Sequence, residues 1–157
     1  MQHDLPQNGN FLQRDCYFSL LFFQKKATEA EDVRALNALL NSEAKRLTAL
    51  FEGEGYHTAI LKGQANARLY PDPMSRQPGD IDIFVDGGLE RVTALLTRLG
   101  MIKEDEKPQS HHWHLHTDNP DVTVEVHFLP LPRRDNDTKH TARIHAYLQE
   151  EFECTCL

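Results

Sequence analysis

Two aspartates separated by a single residue stand at the start of a short apolar segment, 79–85. Asp80 and Asp82 alternate with Ile81 and Ile83, which is the two-residue period of a β-strand. The alternation predicts that both carboxylates lie on one face of the strand, roughly 7 Å apart. Carboxylates this close repel each other unless a cation lies between them, and Mg2+ prefers oxygen ligands together with substrate phosphates. An isolated D-x-D is also typical of a solvated edge strand, so the rest of the chain decides between a metal site and a solvated face.

A third acid occupies a second alternating segment, 122–128. Its valines share one face, and Glu125 and His127 share the other. An acid in such a strand is costly to bury without a partner. Two interpretations are open: Glu125 faces solvent, or it joins Asp80 and Asp82 in a three-carboxylate site. Three acids can hold two divalent ions for phosphoryl or nucleotidyl transfer, and the third acid can help to deprotonate an acceptor hydroxyl.

A Lys-Gly pair lies between a predicted strand and a short predicted helix, ahead of the two aspartates. Glycine allows a phosphate to approach the backbone, and the first N–H groups of a helix have no partner within it. Gly63 and Gln64 would offer such N–H groups to a triphosphate, and Lys62 would add positive charge. Arg76, four residues before Asp80, either contacts a phosphate or holds its own loop in place.

The histidines are concentrated in one part of the chain. Five of the nine lie between 111 and 127: His111, His112, His114, His116 and His127. If this segment closes as a hairpin, His114, His116 and His127 share a polar face with Glu125, while Trp113 faces the core. Imidazoles and a carboxylate in this arrangement suit a zinc or other transition-metal site. A His-x-His pair is also typical of a solvated or hydrogen-bonded strand, and protonated histidines can contact phosphate or position an acceptor.

The apolar periodicity predicts an α/β or α+β domain, in which helices pack on a mixed β-sheet. Helices are expected over 11–26, 27–53, 64–69, 89–99 and 141–152, and strands over 57–61, 80–85, 112–117 and 122–129.

Length and composition limit the function classes. The 157 residues predict a single domain over 1–157, in which 1–10 is disordered. The formal net charge of −7 argues against an extended nucleic-acid footprint, and the longest apolar run is too short for a membrane span. No signal peptide is expected, and three cysteines, two of them in the last four residues, do not form a disulfide framework. We therefore expect a cytoplasmic protein without a membrane partner.

Taken together, these motifs resemble those of a known family. The segments Leu61-Lys62-Gly63, Tyr70-Pro71, Arg76, Gly79-Asp80-Ile81-Asp82 and Val124-Glu125-Val126-His127 are similar to the LKG…YP…R..GDID…VEVH pattern of an uncharacterised nucleotidyltransferase family. That family belongs to the DNA polymerase beta-like nucleotidyltransferase superfamily. The resemblance covers residues 35–130 of this chain.

The resemblance implies a nucleotidyltransferase-like fold, to which further C-terminal helices would be added in a longer chain, and a Mg2+- or Mn2+-dependent reaction. A nucleoside monophosphate would move from ATP or another NTP to a hydroxyl of a small molecule or protein. Asp80, Asp82 and Glu125 would be the metal ligands and catalytic acids, and Lys62-Gly63 would stand where the superfamily usually has Gly-Ser. Two alternatives remain open: a non-catalytic nucleotide- or partner-binding module of the same fold, and a His/Glu transition-metal hydrolase.

Overall fold

The architecture is a four-stranded mixed sheet with helices packed on it, as the sequence predicts. The structure, a computed structural model, describes residues 11–103, 105–115, 117, 119–130, 142–144, 146–148 and 150, with side chains from residue 29 onward. The helices are α1 (Phe11–Gly53), α2 (Lys62–Ala67) and α3 (Gly88–Arg98), and the strands are β1 (Thr58–Ile60), β2 (Ile81–Val85), β3 (His112–Leu115) and β4 (Val124–His127). Residues 142–144, 146–148 and 150 are also helical, within the predicted helix 141–152.

Helix α1 is a single helix of 43 residues, where two helices were expected. The segment 11–52 contains neither glycine nor proline, so nothing in its backbone chemistry interrupts the hydrogen-bond ladder. The described side chains Leu40, Leu47 and Phe51 are fully buried and place the C-terminal half of α1 against the sheet. The expected disorder at 1–10 lies outside the described residues.

The sheet has the strand order β1-β2-β4-β3. Strand β1 is antiparallel to β2, and β3 is antiparallel to β4, as in the predicted hairpin. The two central strands, β2 and β4, are parallel and in register, with Asp82 opposite Glu125. Because paired residues of adjacent strands project to the same face, this register places the two acids side by side.

One face of the sheet forms the hydrophobic core. Its buried residues are Ile81, Ile83, Val85, Trp113, Leu115, Val124 and Val126. Helix α3 covers this core with Val92, Leu95 and Leu96. The indole Nε1 of Trp113 donates a hydrogen bond to Thr93 Oγ1 at 3.0 Å and so joins the edge strand β3 to α3.

The loop that precedes β2 is fastened to α1 by a buried asparagine. Asn37 Nδ2 donates to the backbone carbonyls of Met74 at 3.1 Å and Arg76 at 2.8 Å, as well as to Val33 in its own helix at 3.1 Å. An ion pair between Arg34 and Asp72 adds a second attachment. The loop that carries Arg76 therefore has a defined position relative to α1. Among the helices that the structure describes, none is long and apolar enough to cross a membrane.

Candidate active site

The polar face of the sheet is built around a buried aspartate. Asp82 is only 2% exposed, although it lies in the centre of β2. Its Oδ1 accepts hydrogen bonds from Lys62 Nζ at 2.8 Å and from His127 Nε2 at 2.9 Å. Burial raises the pKa of Asp82, but the hydrogen bonds and charges of His127 and Lys62 outweigh it and lower the pKa to about 2. The carboxylate is therefore ionised at neutral pH.

Glu125 lies next to Asp82 on the neighbouring strand. Ligand atoms of Asp82, Glu125 and His127 all lie within 4.8 Å of one another. Glu125 Oε2 is 3.4 Å from His127 Nε2, so the histidine lies between the two acids. The Nδ1 atom of His127 is buried and has no hydrogen-bond partner among the described residues. With Nε2 donating to Asp82, His127 holds that carboxylate in place.

The turn from β1 to α2 brings Lys62 to the acids. Lys62 has a φ of +32°, in the left-handed region that non-glycine residues rarely adopt. The Leu61 N–H donates to the Asp82 carbonyl at 2.8 Å, which ties the turn to β2. A Cβ atom on Gly63 would come within 3.1 Å of the Asp80 carbonyl oxygen, so glycine permits this close approach. The turn lies against the acidic strand, and its unusual backbone directs Lys62 toward Asp82.

Three acids act together on the Lys62 ammonium. Its pKa is raised first by the hydrogen bond to Asp82, then by the charges of Asp82, Glu125 and Asp80, against an opposing effect of burial. The Lys62 side chain is still 64% exposed. A cation is thus held where the negative charges of the site converge, although it retains contact with solvent.

Two strands supply a cluster of imidazoles beside Glu125. His112 pairs with His127, and His114 pairs with Glu125, in the antiparallel register of β3 and β4. Burial, and to a smaller extent the charges of neighbouring histidines, lower the pKa of His111 and of His112 to about 4. Both rings are therefore neutral at pH 7.

The remaining predicted site residues lie in different surroundings. Asp80 is exposed, immediately precedes β2, and belongs to none of the clusters of possible metal ligands that the described residues form. The Gln64 side chain donates from Nε2 to Asn41 Oδ1 of α1 at 2.8 Å, and its Oε1 is buried without a hydrogen-bond partner among the described residues. Arg76 Nη1 is buried without a hydrogen-bond partner among the described residues. His116 lies outside the described residues.

Two polar residues near the imidazoles were not predicted from the sequence. Gln109 Nε2 lies 2.8 Å from His114 Nε2, and Ser110 Oγ lies 2.9 Å from His111 Nδ1. Both belong to the segment before β3, in which the sequence shows only a charged loop. A loop of this kind carries no periodicity, so no local signal could have identified these contacts.

Neither the curated proteins nor the solved structures contain a match to this chain. A protein-family model described as an uncharacterised nucleotidyltransferase matches residues 23–153. The matched region includes the Lys-Gly turn and both strands that carry acids, and it extends beyond the resemblance seen in the motifs alone. The chain therefore belongs to this uncharacterised nucleotidyltransferase family.

Proposed function

We propose that this nucleotidyltransferase transfers a nucleoside monophosphate from an NTP, such as ATP, to a hydroxyl group in a Mg2+-dependent reaction. The observation that carries the proposal is the convergence of Asp82, Glu125 and Asp80 around the Lys62 ammonium. The Lys62 ammonium already occupies this position, and Asp82 and Glu125 are paired on adjacent strands, which supports a cation site here. General nucleotidyl transfer is the activity of the family.

The donor set fits a hard divalent ion. Asp82 and Glu125 provide carboxylate oxygens from paired positions, and Asp80 lies two residues before Asp82, immediately ahead of β2. Oxygen ligands of this kind favour Mg2+ or Mn2+, which would neutralise charge on the triphosphate. His127 keeps the Asp82 carboxylate oriented, as partners of metal-binding groups commonly do.

Lys62 and Arg76 are the cations best placed for the triphosphate. The exposed Lys62 side chain can exchange its ion pair with Asp82 for a phosphate oxygen. Arg76 has a buried guanidinium nitrogen without an acceptor among the described residues, and a buried donor of this kind is costly unless it is paired. The backbone N–H groups of Gly63 and Gln64 add neutral donors at the turn. These groups bind the β- and γ-phosphates in our proposal.

The reaction is a displacement at the α-phosphorus. The acceptor oxygen forms a bond to that atom, the bond to the β-phosphate oxygen breaks, and pyrophosphate leaves. The hydroxyl proton passes to the Glu125 carboxylate. Most of the acceleration comes from positioning and from neutralisation of charge in a partly desolvated site. The formal net charge of −7 favours a small molecule or a protein hydroxyl over extended nucleic acid as the acceptor.

The proposal is tested by following NTP consumption and pyrophosphate release with Mg2+ and a panel of hydroxyl acceptors. Asp80→Ala and Asp82→Ala are expected to abolish turnover while the circular dichroism spectrum stays that of a folded protein. Asp86→Asn is the matched control, because Asp86 directly follows β2 and its carboxylate only accepts from the His57 N–H at 3.0 Å.

Equal turnover in the wild type and in the Asp80→Ala/Asp82→Ala double variant would contradict the proposal. Calorimetry with NTP and Mg2+ tests the alternative of a non-catalytic binding module. Binding of NTP without turnover, under every acceptor tried, would assign a non-catalytic nucleotide-binding role to the same site.

A further inference from the structure

Strands β3 and β4 bring two histidines to one side of Glu125. His114 lies directly opposite Glu125 in the antiparallel register, and His112 lies two residues earlier on the same face. Neighbours of this kind on a sheet are held by backbone hydrogen bonds, so their relative position does not depend on a flexible loop. The sheet therefore presents two imidazoles and one carboxylate as a fixed group.

The three ligand atoms form a nearly equilateral triangle. His112 Nε2 is 3.2 Å from His114 Nε2, and Glu125 Oε1 is 3.6 Å from the first nitrogen and 3.8 Å from the second. A point equidistant from these atoms is about 2.1 Å from each of them, which is the bond length of zinc to imidazole nitrogen and carboxylate oxygen. The triangle has the size that a single zinc ion requires.

Hydrogen bonding does not explain the position of the carboxylate. The two contacts of Glu125 Oε1, at 3.6 and 3.8 Å, are too long for hydrogen bonds. The His112 and Glu125 side chains are nevertheless only 7% and 15% exposed. Glu125 Oε1 thus faces two ring nitrogens without bonding to either, whereas the nitrogens lie 3.2 Å apart and His114 Nε2 also lies 2.8 Å from Gln109 Nε2. A shared cation would replace these contacts of the nitrogens and give the carboxylate a partner.

We propose that His112, His114 and Glu125 form a zinc-binding site. Two histidines and a glutamate are a donor set found in zinc sites that keep a fourth position open for water. His114 is 46% exposed, which gives the ion a path from solvent and leaves that fourth position toward it. The site shares Glu125 with the proposed magnesium site but uses a different atom of it, because Oε1 faces the two histidines while Oε2 lies 3.4 Å from His127 Nε2. The assignment does not depend on nucleotidyl transfer.

The zinc site is tested by calorimetric titration of the metal-stripped full chain with Zn2+, without nucleotide or Mg2+. The wild type is expected to bind one ion at this site, and His114→Gln is expected to weaken that binding at least about tenfold. His114 is exposed, so this variant should fold, and its melting curve without metal confirms that it does. His57→Gln is the matched control, since His57 is an exposed histidine outside the cluster. The Co2+ absorption spectrum of the wild type should show four-coordinate binding by nitrogen and oxygen, and His114→Gln should remove it.

Asp80→Asn separates this site from the proposed magnesium site. Zinc affinity should be unchanged in this variant, because Asp80 belongs to none of the described clusters of possible ligands. The proposal is overturned if His114→Gln and His57→Gln bind Zn2+ equally well, or if Asp80→Asn loses the ion as His114→Gln does. Neither of these Zn2+ affinities reports on NTP turnover, so the zinc site and the nucleotidyltransferase activity can be disproved independently.

Discussion

Both faces of the sheet contain buried residues, yet these residues are stabilised in different ways. On the core face, Ile81, Ile83 and Val124 are fully buried and belong to the hydrophobic core cluster. On the opposite face, Asp82 and His127 are buried to almost the same extent, but each makes polar contacts. The polar face is therefore not the solvated side of an amphipathic sheet.

This difference indicates where each face can tolerate change. A residue on the core face contributes through transfer from water and through packing, so a loss of volume costs stability. A residue on the polar face is held by one or two specific partners, so an isosteric change can leave the fold intact and remove the chemistry. We expect substitutions on one face to affect unfolding and substitutions on the other to affect turnover.

The largest effect is expected from Glu125→Gln on the polar face. The amide keeps the shape of the side chain but loses the charge that binds a cation and accepts a proton. We expect kcat/KM for nucleotidyl transfer to fall by about 1,000-fold, with a melting temperature close to that of the wild type. Asp121→Asn, at an exposed acid in the β3–β4 turn, is the control. A large loss of stability in Glu125→Gln would contradict this comparison, because it would show that the polar face, like the core face, contributes mainly to the stability of the fold.

On the core face, Ile83→Ala should lower the stability of the fold rather than remove a group that takes part in the chemistry. Ile83 is fully buried in a central strand, and its truncation leaves a cavity beneath α1 and α3. We expect the free energy of unfolding to fall by about 2–5 kcal/mol in urea denaturation. Leu69→Ala provides the control, because Leu69 is 83% exposed and should change stability little. Wild-type stability in Ile83→Ala would contradict the assigned core.

Lowering the pH is expected to reduce stability by an intermediate amount, because it protonates a histidine on the polar face. The pKa of His112 is lowered to about 4 in the folded state, below its ordinary value of 6.5. The folded state thus favours the neutral ring, and the resulting stability is present above pH 6.5 and lost as the pH falls toward 4. His112 accounts for at most about 3 kcal/mol of the free energy of unfolding that is lost over this pH range. Urea denaturation across this pH range should show a smaller decrease in His112→Gln than in the wild type, and parallel curves would contradict the lowered pKa.

The smallest effect is expected at the polar contact between β3 and α3. Thr93→Val removes the acceptor of the Trp113 indole N–H, which is buried. An unpaired buried donor costs about 1–3 kcal/mol, and we expect a loss near the lower limit because Thr93 is only half-buried. Thr97→Val on the same helix is the control, since its hydroxyl donates only to the Thr93 carbonyl at 2.9 Å. If the two variants were equally stable, the indole hydrogen bond would make no net contribution to the free energy of unfolding.

Much of this arrangement follows from local sequence patterns. Alternation in β2 and β4 predicted which side chains share a face, and the Lys-Gly turn was expected where α2 begins. The continuity of α1 was missed, although the absence of glycine and proline from 11–52 was a usable signal. The order and parallel pairing of the central strands could not be predicted, because Asp82 and Glu125 are 43 positions apart and no local pattern encodes a partner.

The contact between Lys62 and Asp82 was also beyond sequence reasoning. The motif indicated a lysine for phosphate, whereas the structure pairs it with an acid at 2.8 Å. That contact depends on a left-handed backbone at a non-glycine residue, which propensities disfavour. The roles of Asp80, Asp82, Glu125 and Arg76 in binding metal or nucleotide remain predictions.

The position of Trp113 gives the chain an intrinsic optical reporter. It is the sole tryptophan in the sequence, it is 4% exposed, and it lies between His112 and His114 in β3. Its fluorescence emission should therefore shift to longer wavelength when the sheet unfolds. A paramagnetic ion such as Cu2+ bound to the adjacent imidazoles should quench the same emission through the thickness of the sheet. Folding and metal occupancy can thus be followed in one cuvette without an attached dye.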